Sequence, residues 1–295
     1  MSRHRVDGPA YHRVFGAVRV PVSTDLSPLT LVRAARLVVP GAAASHHTAA
    51  RLWGGLVPDT SEVHVTVPSS RSRRRRPGLR CHVGPGSAIT TLPGQQVPLT
   101  SPEQTFVDLA TELTLVDLVV LGDSLVHRGV TTTDRLLEAA DGATGRGAAC
   151  AREGASLVRE GAESGMETRT RLLLVLGGLP EPQVNQWVLD ETGRARYRLD
   201  LPYPELLLAL EYDGRQHAED SQQWGWDLAR REWLDGRGWR LLVVRAEDIY
   251  VSPWETVRRA RQALADRGFD DALPHEAPLE FRRHFPGQPW RARRG

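Results

Sequence analysis

The chain has 295 residues, of which 40% are hydrophobic and 25% are charged, the composition of an ordinary folded protein with room for two domains. Its formal net charge of +2 is too small to indicate nucleic-acid binding, and its two cysteines argue against a disulfide framework or a cysteine-rich zinc site. No apolar run reaches the ~20 residues of a membrane-spanning helix and no signal-peptide core is visible, so we expect a cytoplasmic protein without a membrane partner.

Every basic residue of the chain is an arginine, because the sequence contains no lysine. Chemistry that enzymes commonly perform with lysine must therefore use another residue here. The densest basic cluster, "RSRRRR", spans Arg71 to Arg76. A solvated loop between two strands and a contact with a phosphate backbone are equally good interpretations of this cluster.

Residues 1–150 alternate short strands and helices, which indicates an α+β domain. Ser101 and Pro102 predict the start of a capped helix. His46 and His47 stand at the start of an earlier helix, and we expect both side chains to lie on the surface. In chain order the patterns predict a hairpin at 11–20, helices at 31–39 and 45–54, strands at 62–68 and 79–84, and helices at 101–113, 115–127 and 133–140.

The Gly/Ala-rich stretch 141–155 predicts the junction between two domains. The order of elements beyond it, α-β-β-β-α-β-α, predicts an α/β fold with a mixed sheet flanked by helices. Trp226, Trp233 and Trp239 are expected mainly in the core, and the tail 269–295, rich in Pro and Arg, is expected to pack poorly. The expected elements are a helix at 164–178, strands at 182–189, 194–201 and 205–214, a helix at 221–238, a strand at 239–249 and a helix at 252–268.

The strand "LLLALEYDG" carries two carboxylates, Glu211 and Asp213, at its end. Both of its faces are largely apolar, the pattern of a covered central strand, so an ionised carboxylate there needs compensation. If "YPEL" forms a hairpin turn, Asp200 lies opposite Ala209 and diagonally from Glu211, with Cβ atoms roughly 7 Å apart. Since hard divalent ions prefer oxygen ligands, Asp200 and Glu211 predict a site for Mg²⁺ (or Mn²⁺).

Residues 160–266 contain three motifs: "ES…E" at a helix start, "D…P…EYDG..H" in a hairpin, and "D..R…L…GW…R" before the last strand. This arrangement resembles the PD-(D/E)xK nuclease superfamily, and within it an actinobacterial family of unknown function that is similar to very-short-patch-repair endonucleases. The resemblance implies a restriction-endonuclease-like domain over residues 156–268. The matching positions are Glu163, Ser164, Glu167, Asp200, Glu211, Asp213, Gly214, His217, Asp227, Arg230 or Arg231, Leu234, Gly238, Trp239 and Arg245.

The same resemblance implies roles for the acidic residues. Asp200 and Glu211 would be the metal ligands, and Glu167 would be an outer ligand or would hold a water molecule. Asp213 occupies the position where many members carry a lysine that orients the attacking water and stabilises charge on the phosphate. His217 would act as general base or bind a phosphate, although a loop histidine without such a role fits equally well.

Four arginines are candidate DNA contacts: Arg215, Arg230, Arg231 and Arg245. A divalent ion would polarise the phosphodiester and activate a water molecule while arginines steady the phosphate. Because the lysine of the family is missing, His217 or an arginine such as Arg245 would substitute for it.

Residues 1–150 also carry a resemblance, through the segments "HHTAARLWGG", "VHVTVP", "RCHVG" and "LTSPEQTFVDLA". The domain is similar to the antitoxin component of abortive-infection type IV toxin–antitoxin systems. That component usually begins with a winged helix-turn-helix, whereas this sequence begins near the wing. We therefore expect a truncated winged helix without sequence-specific reading of the major groove.

Simpler structural roles remain open for several of these residues. Glu167 follows Ser164 at the spacing of a capping box, a role that is compatible with assistance to a metal. Asp227 precedes Arg230 and Arg231 by three and four residues, so an ion pair on the helix surface is the better interpretation of these three side chains.

Taken together, the sequence predicts an antitoxin-like domain over 1–150, a Mg²⁺-dependent DNA endonuclease, a hydrolase, over 156–268, and a tail over 269–295. The alternative is a non-enzymatic DNA-binding or antitoxin-like regulator that keeps a degenerate nuclease fold as a scaffold. A metal-dependent enzyme for a small phosphorylated molecule is less favoured, because no Gly-rich phosphate loop is visible. The choice of DNA over RNA and the formation of a homodimer stay open.

Overall fold

The computed structural model describes residues 8–16, 18–84, 88–214, 221–269 and 274–287, without the side chains of 221–225 and 227. The chain divides into two compact units, unit 1 (Met1–Val158) and unit 2 (Arg159–Gly295). Each unit combines helices with a sheet of both parallel and antiparallel strands, so the predicted α/β class is confirmed. None of the described helices has the length and apolar character that crossing a bilayer requires.

Unit 1 begins with the predicted hairpin and ends in helices. Five of its strands form one sheet in the order β5-β4-β3-β7-β6, and the hairpin β1-β2 forms a separate two-stranded sheet. The elements are β1 (Tyr11–Val14), β2 (Val18–Pro21), α1 (Pro28–Val38), β3 (Ala43–Ala44), α2 (His46–Leu52), β4 (Val63–Val67), β5 (Leu79–Val83), β6 (Ile89–Thr91), β7 (Pro98–Thr100), α3 (Pro102–Leu109), α4 (Leu115–His127), α5 (Thr133–Asp141) and α6 (Ala148–Leu157).

Strand β4 is buried on both faces, although its valines predicted one buried face. It pairs in parallel with β5, and His64 stands opposite Arg80 while Thr66 stands opposite His82. Because side chains alternate along a strand, these four residues lie on the face away from the valines. This face brings two histidines from neighbouring strands together.

The two units divide after Val158, just beyond the stretch that the sequence predicted as a domain junction, and helix α6 occupies the second half of that stretch. Glycines at the contact between α4 and α6 allow close packing. A Cβ atom added to Gly154 would lie 2.8 Å from the Cδ2 atom of Leu118 in α4, and one added to Gly122 would lie 2.4 Å from Val158 Cγ2. The missing side chains therefore let helices approach each other and do not mark a linker.

Unit 2 contains a three-stranded sheet in the order β10-β11-β12 and a separate hairpin β8-β9. Strands β10 and β11 are antiparallel, β11 and β12 are parallel, and helix α8 connects the parallel pair. The elements are α7 (Gly165–Leu176), β8 (Gln186–Leu189), β9 (Ala195–Leu199), β10 (Leu201–Tyr203), β11 (Leu208–Tyr212), α8 (Ser221–Asp235), β12 (Arg240–Val244), α9 (Ala246–Tyr250), α10 (Pro253–Ala265) and α11 (Leu279–His284).

Strand β11 is the covered central strand that the sequence predicted. Leu208, Ala209 and Leu210 are fully buried. The strand expected over 194–201 is divided at Asp200, where the chain bends. The part before the bend pairs with β8 and the part after it pairs with β11. Asp200 consequently lies at the point where the chain changes from one sheet to the other.

The described part of the tail packs against the rest of unit 2, which contradicts the expectation of poor packing. Phe281 is only 1% exposed, and its ring makes an edge contact with the ring of Trp254 at 5.2 Å between centroids. Phe285 is also buried. The expectation for the tryptophans is confirmed for buried Trp239 and wrong for Trp226, which is 75% exposed.

Candidate functional site

Asp200 lies beside the end of β11, where its carboxylate accepts a hydrogen bond from the Tyr212 amide and lines one pocket with Glu211. In the strand pairing next to it, Leu201 stands opposite Leu210 and Pro202 opposite Ala209. The predicted register, with Asp200 opposite Ala209, is therefore wrong by two residues. The physical reason is the length of the connection between β10 and β11. The expected hairpin turn has two residues, whereas the observed connection has four, a 3-10 turn (Pro204–Leu206) followed by Leu207 in a left-handed conformation.

Asp200 is an acid in an unfavourable place for negative charge. Burial raises the pKa of its carboxyl group from 3.8 to about 6, against the hydrogen bond that its Oδ2 accepts from the Tyr212 amide at 3.1 Å. The negative charges of Glu211 and Glu167 raise this pKa further. Desolvation and like charge both favour the protonated form, so a nearby cation would stabilise the ionised form.

Glu211 forms a two-pronged ion pair with Arg230 from helix α8. Arg230 Nη1 donates to Glu211 Oε2 at 2.7 Å and Nη2 donates to Oε1, while Nη2 also donates to the carbonyl oxygen of Arg198 at 3.0 Å. The Glu211 side chain is 15% exposed and that of Arg230 is 24% exposed. The predicted metal ligand and the predicted DNA contact thus bind each other in this structure.

Ser164 caps the start of α7 as predicted, and Glu167 contacts this cap with its amide and its carboxylate. The second half of a capping box, a bond from the Ser164 amide, is replaced by one from the Glu163 amide. The Glu167 amide donates to Ser164 Oγ at 3.1 Å, and Glu167 Oε1 accepts a hydrogen bond from the same hydroxyl at 2.8 Å. Its Oε2 accepts from the Glu163 amide and from Asn185 Nδ2. Glu167 therefore stabilises the start of α7, and its negative charge raises the pKa of Asp200.

An open pocket of about 330 Å³ lies at this end of the sheet. It brings together five of the predicted site residues, Asp200, Glu211, Asp213, Arg230 and Arg231. Arg245 is not among its lining residues and instead stands at the N-terminus of α9, where its amide donates to Asp248. The lining residues are Asp200, Glu211, Tyr212, Asp213, Gly214, Arg230, Arg231 and Val243.

Some predicted site residues lie outside the described residues, namely His217 and Arg215, as does the side chain of Asp227. Their roles stay predictions. Within the described part of unit 2, no three His, Cys, Asp or Glu ligand atoms lie within 4.8 Å of one another. A cation held here by described residues would therefore have two carboxylates, with water and phosphate completing its shell.

A second cluster of chemistry-bearing residues, which the sequence reasoning missed, lies in unit 1. His46 and His47, expected on the surface, are 8% and 9% exposed, and they lie beside His64 and His82. One signal in the sequence could have indicated this cluster: His64 and His82 lie on the predicted strands 62–68 and 79–84, which the arginine loop connects as neighbours.

Four arginines of the cluster 71–76, Arg73 to Arg76, line a pocket of about 530 Å³ in unit 1. Arg73 donates to the Cys81 carbonyl and Arg74 to carbonyls of its own loop, so part of the cluster stabilises the loop. Arg75 is exposed. The lining residues are Glu62, Arg73, Arg74, Arg75, Arg76, Pro77, Leu79, Arg80 and Cys81.

Comparisons with known proteins identify relatives whose activity is not stated. No protein-family profile matches the chain. It is similar to the uncharacterized protein Rv2248 of Mycobacterium tuberculosis (strain ATCC 25618 / H37Rv), with 27% identity over 218 residues, 74% of this chain and 79% of that protein. The uncharacterized protein MT2308 of strain CDC 1551 / Oshkosh matches with the same identity and coverage.

Among solved structures, the Rv2827c protein of Mycobacterium tuberculosis is similar over 61% of this chain and 73% of its own. The sequence identity is 14% and the TM-score is 0.35, so this likeness carries no argument about fold or function. A function for this chain has to be argued from its own residues.

Proposed function

We propose that unit 2 is a divalent-cation-dependent hydrolase of phosphodiester bonds in DNA. One observation carries the proposal: Asp200 and Glu211 line the same open pocket, and burial with neighbouring negative charge raises the pKa of Asp200 to about 6. Perturbed acids that converge on a pocket are typical of catalytic and metal sites. The resemblance to PD-(D/E)xK nucleases supports DNA as the substrate.

The donor atoms of the pocket fit Mg²⁺ or Mn²⁺ in kind, because Asp200, Glu211 and Asp213 offer carboxylate oxygens. Asp200 Oδ2 accepts a hydrogen bond from Tyr212, while a carboxylate has room for about four partners. Glu211 is bound at both oxygens by Arg230. Asp200 and Glu211 would hold the ion once Arg230 releases Glu211. The ion would then polarise the phosphodiester and lower the pKa of a bound water.

Arg230 has a second task in this proposal. A guanidinium group binds phosphate oxygens in the same two-pronged way as a carboxylate. When DNA and the cation enter, Arg230 exchanges Glu211 for the scissile phosphate and stabilises its negative charge. Arg231 lines the same pocket and can share this task. The two arginines would replace the lysine that is absent at Asp213.

Protonation of Asp200 would control the reaction. The protonated carboxyl is a poor cation ligand, and its pKa is about 6. Cleavage is therefore expected to increase as the pH rises through about 6. His217 as general base and Arg215 as a phosphate contact complete the proposed site from the sequence.

The second candidate is DNA binding without hydrolysis. It is favoured by the Arg230–Glu211 pair, which already neutralises Glu211, and by the arginine-lined pocket at 73–76 in unit 1. Such a protein would bind the phosphate backbone through its arginines and would need no metal.

Supercoiled plasmid incubated with the purified chain tests the proposal. With Mg²⁺ or Mn²⁺ we expect nicked circles, and Asp200→Asn and Glu211→Gln should each abolish nicking. Glu191→Gln is the matched control, since Glu191 is 88% exposed and pairs with Arg237 away from the pocket. A chelator should stop nicking by the unaltered chain.

The outcomes separate the two candidates. Nicking that survives both pocket variants would come from a contaminant and would refute the assignment of the site. A chain that shifts DNA in a gel with a chelator present, equally well with both variants, and never nicks it would be the non-enzymatic binder.

A further inference from the structure

Unit 1 contains a cluster of four histidines between α2 and the sheet. His64 lies on β4 and His82 on β5, on the face opposite the valines. His46 and His47 form the first residues of α2. Two backbone contacts hold the helix start over the strands: the Ser45 amide donates to the His64 carbonyl at 3.1 Å, and the His64 amide donates to Thr48 Oγ1 at 2.8 Å.

The ring nitrogens of three of these histidines converge. One nitrogen each of His46, His64 and His82 lies within 4.8 Å of the others. His82 Nε2 and His64 Nδ1 are 3.2 Å apart, and the His46 ring stacks on that of His82 at 3.5 Å between centroids. Two nitrogens on one tetrahedral Zn²⁺, each bonded at ~2.0–2.1 Å, would be roughly 3.3 Å apart. The contact between His64 and His82 is a hydrogen bond between the two rings, and its length is close to the spacing of two ligands on one ion.

Two polar atoms in the cluster lack a hydrogen-bond partner within the described structure, His46 Nδ1 and His47 Nδ1. Both residues are more than nine-tenths buried. Carboxylates lie just beyond hydrogen-bond distance, Asp108 at 3.9 Å from His46 Nδ1 and Glu112 at 3.6 Å from His47 Nδ1. Metal-bound histidines commonly present one nitrogen to such a carboxylate and the other to the metal.

The four rings are packed against one another. The centroids of the His47 and His64 rings are 4.9 Å apart, and those of the His64 and His82 rings are 5.2 Å apart. Crowding four rings in one buried place has no benefit for packing that apolar side chains would not supply better.

We propose that unit 1 binds one Zn²⁺ ion through His46, His64 and His82. Nitrogen donors in a buried site suit Zn²⁺ and not the hard ions expected at Asp200. A second convergent group, His47, His64 and Glu112, shares His64 and supplies a carboxylate beside the ion.

The site would have a structural role. It joins the start of α2 to β4 and β5, and the arginine segment 71–76 connects these same two strands. Bound Zn²⁺ would therefore hold both ends of the arginine loop and the helix in a fixed arrangement. Because it binds the folded state, the ion would raise the melting temperature of the chain.

The test uses the full chain, stripped of metal with a chelator and dialysed, and Zn²⁺ or Co²⁺ as the probe. We expect about one bound Zn²⁺ per chain by elemental analysis, a higher melting temperature with Zn²⁺, and the visible absorption of tetrahedral Co²⁺. His82→Gln changes the most exposed of the three ligands, and it should weaken Zn²⁺ binding by at least ~10-fold. His12→Gln, at an exposed histidine of β1, is the matched control.

Circular dichroism of His82→Gln separates loss of the ion from loss of the fold. Zn²⁺ uptake by the unaltered chain is a second test, which needs no variant. The proposal is refuted if the unaltered chain takes up no Zn²⁺ above the background of a metal-free control protein. It is also refuted if His12→Gln loses as much binding as His82→Gln. Asp200→Asn should keep the Zn²⁺, so a failure of the nuclease proposal and a failure of this one can be told apart.

Discussion

Arg230 binds both carboxylate oxygens of Glu211, 19 residues earlier in the chain, with Nη1 2.7 Å from Oε2. The contact joins helix α8 to the end of the central strand β11. It also decides whether the proposed cation site is available, because the Glu211 carboxylate that Arg230 occupies is an expected cation ligand. Whatever binds in the pocket has to compete with this ion pair.

Loss of Arg230 is expected to destabilise the fold. In Arg230→Gln the Glu211 carboxylate loses two charged hydrogen bonds in a place that is 15% exposed. Hydrogen bonds to charged groups contribute about 1.5–3 kcal/mol, and we expect a loss in this range in urea unfolding. Glu191→Gln, which breaks the pair of an 88% exposed carboxylate with Arg237, should cost less than about 1 kcal/mol.

The same variant is expected to bind a divalent cation more tightly. Without the guanidinium, Glu211 is available as a ligand, and the cation gains an attraction that Arg230 would otherwise oppose. Calorimetric titration with Mn²⁺ should therefore give a lower dissociation constant for Arg230→Gln than for the unaltered chain. Glu211→Gln should abolish this gain. Equal affinity in all three proteins would mean that Glu211 is not a cation ligand.

Asp200→Asn is expected to stabilise the chain at neutral pH. The pKa of Asp200 rises from 3.8 to about 6 on folding, so the unfolded chain loses its proton at lower pH than the folded protein. Stability is therefore reduced progressively between these two values, and the full cost is present above about 6. Asparagine can accept the Tyr212 hydrogen bond without a charge.

After allowance for partial solvent screening, we expect a gain of about 1–2 kcal/mol at neutral pH and almost none in acid. Thermal unfolding across the pH range measures this difference. Asp141→Asn, at an exposed aspartate of α5, should give parallel curves at all pH values. A gain for Asp200→Asn that does not vary with pH would contradict the raised pKa.

Glu167 offers a way to separate capping from charge. Glu167→Ala removes the carboxylate contacts with the Ser164 hydroxyl, the Glu163 amide and Asn185, and we expect a loss of about 0.5–2 kcal/mol. Glu167→Gln keeps an acceptor for these donors and should retain most of the stability, but it removes a charge that raises the pKa of Asp200. In thermal unfolding across the pH range, the midpoint of the stability change caused by Asp200 should therefore lie at lower pH in Glu167→Gln than in the unaltered chain. An unchanged midpoint would show that the charge of Glu167 does not affect the pKa of Asp200.

The sequence predicted well what depends on local patterns. The apolar run of α4, Leu115–His127, and the alternating valines of β4 have their expected bounds within one residue. Capping residues such as Ser164 identify helix starts through contacts only a few residues apart. These signals are local, and the fold class follows from their order.

The geometry of the site depended on contacts that no local pattern encodes. Leu207 adopts a left-handed conformation that few side chains favour, and the longer turn brings Pro202, instead of Asp200, opposite Ala209. The partner that the structure gives Arg230 is Glu211, which lies on another element, 19 residues earlier in the chain. The burial of His46 similarly follows from strand pairing many residues away.

The arginine segment 71–76 is open to a direct test of its two interpretations. Arg75 is exposed and lines the pocket of unit 1, where it would bind a phosphate. If this segment binds DNA, each lost phosphate contact reduces the slope of log affinity against log salt by ~0.9. Fluorescence anisotropy of a labelled duplex at several salt concentrations should show this for Arg75→Gln. Arg258→Gln, an exposed arginine that pairs with Glu255 in α10, is the control. If both variants keep the original slope, the segment is a solvated loop, and the basic contacts of this chain with DNA have to be sought in unit 2.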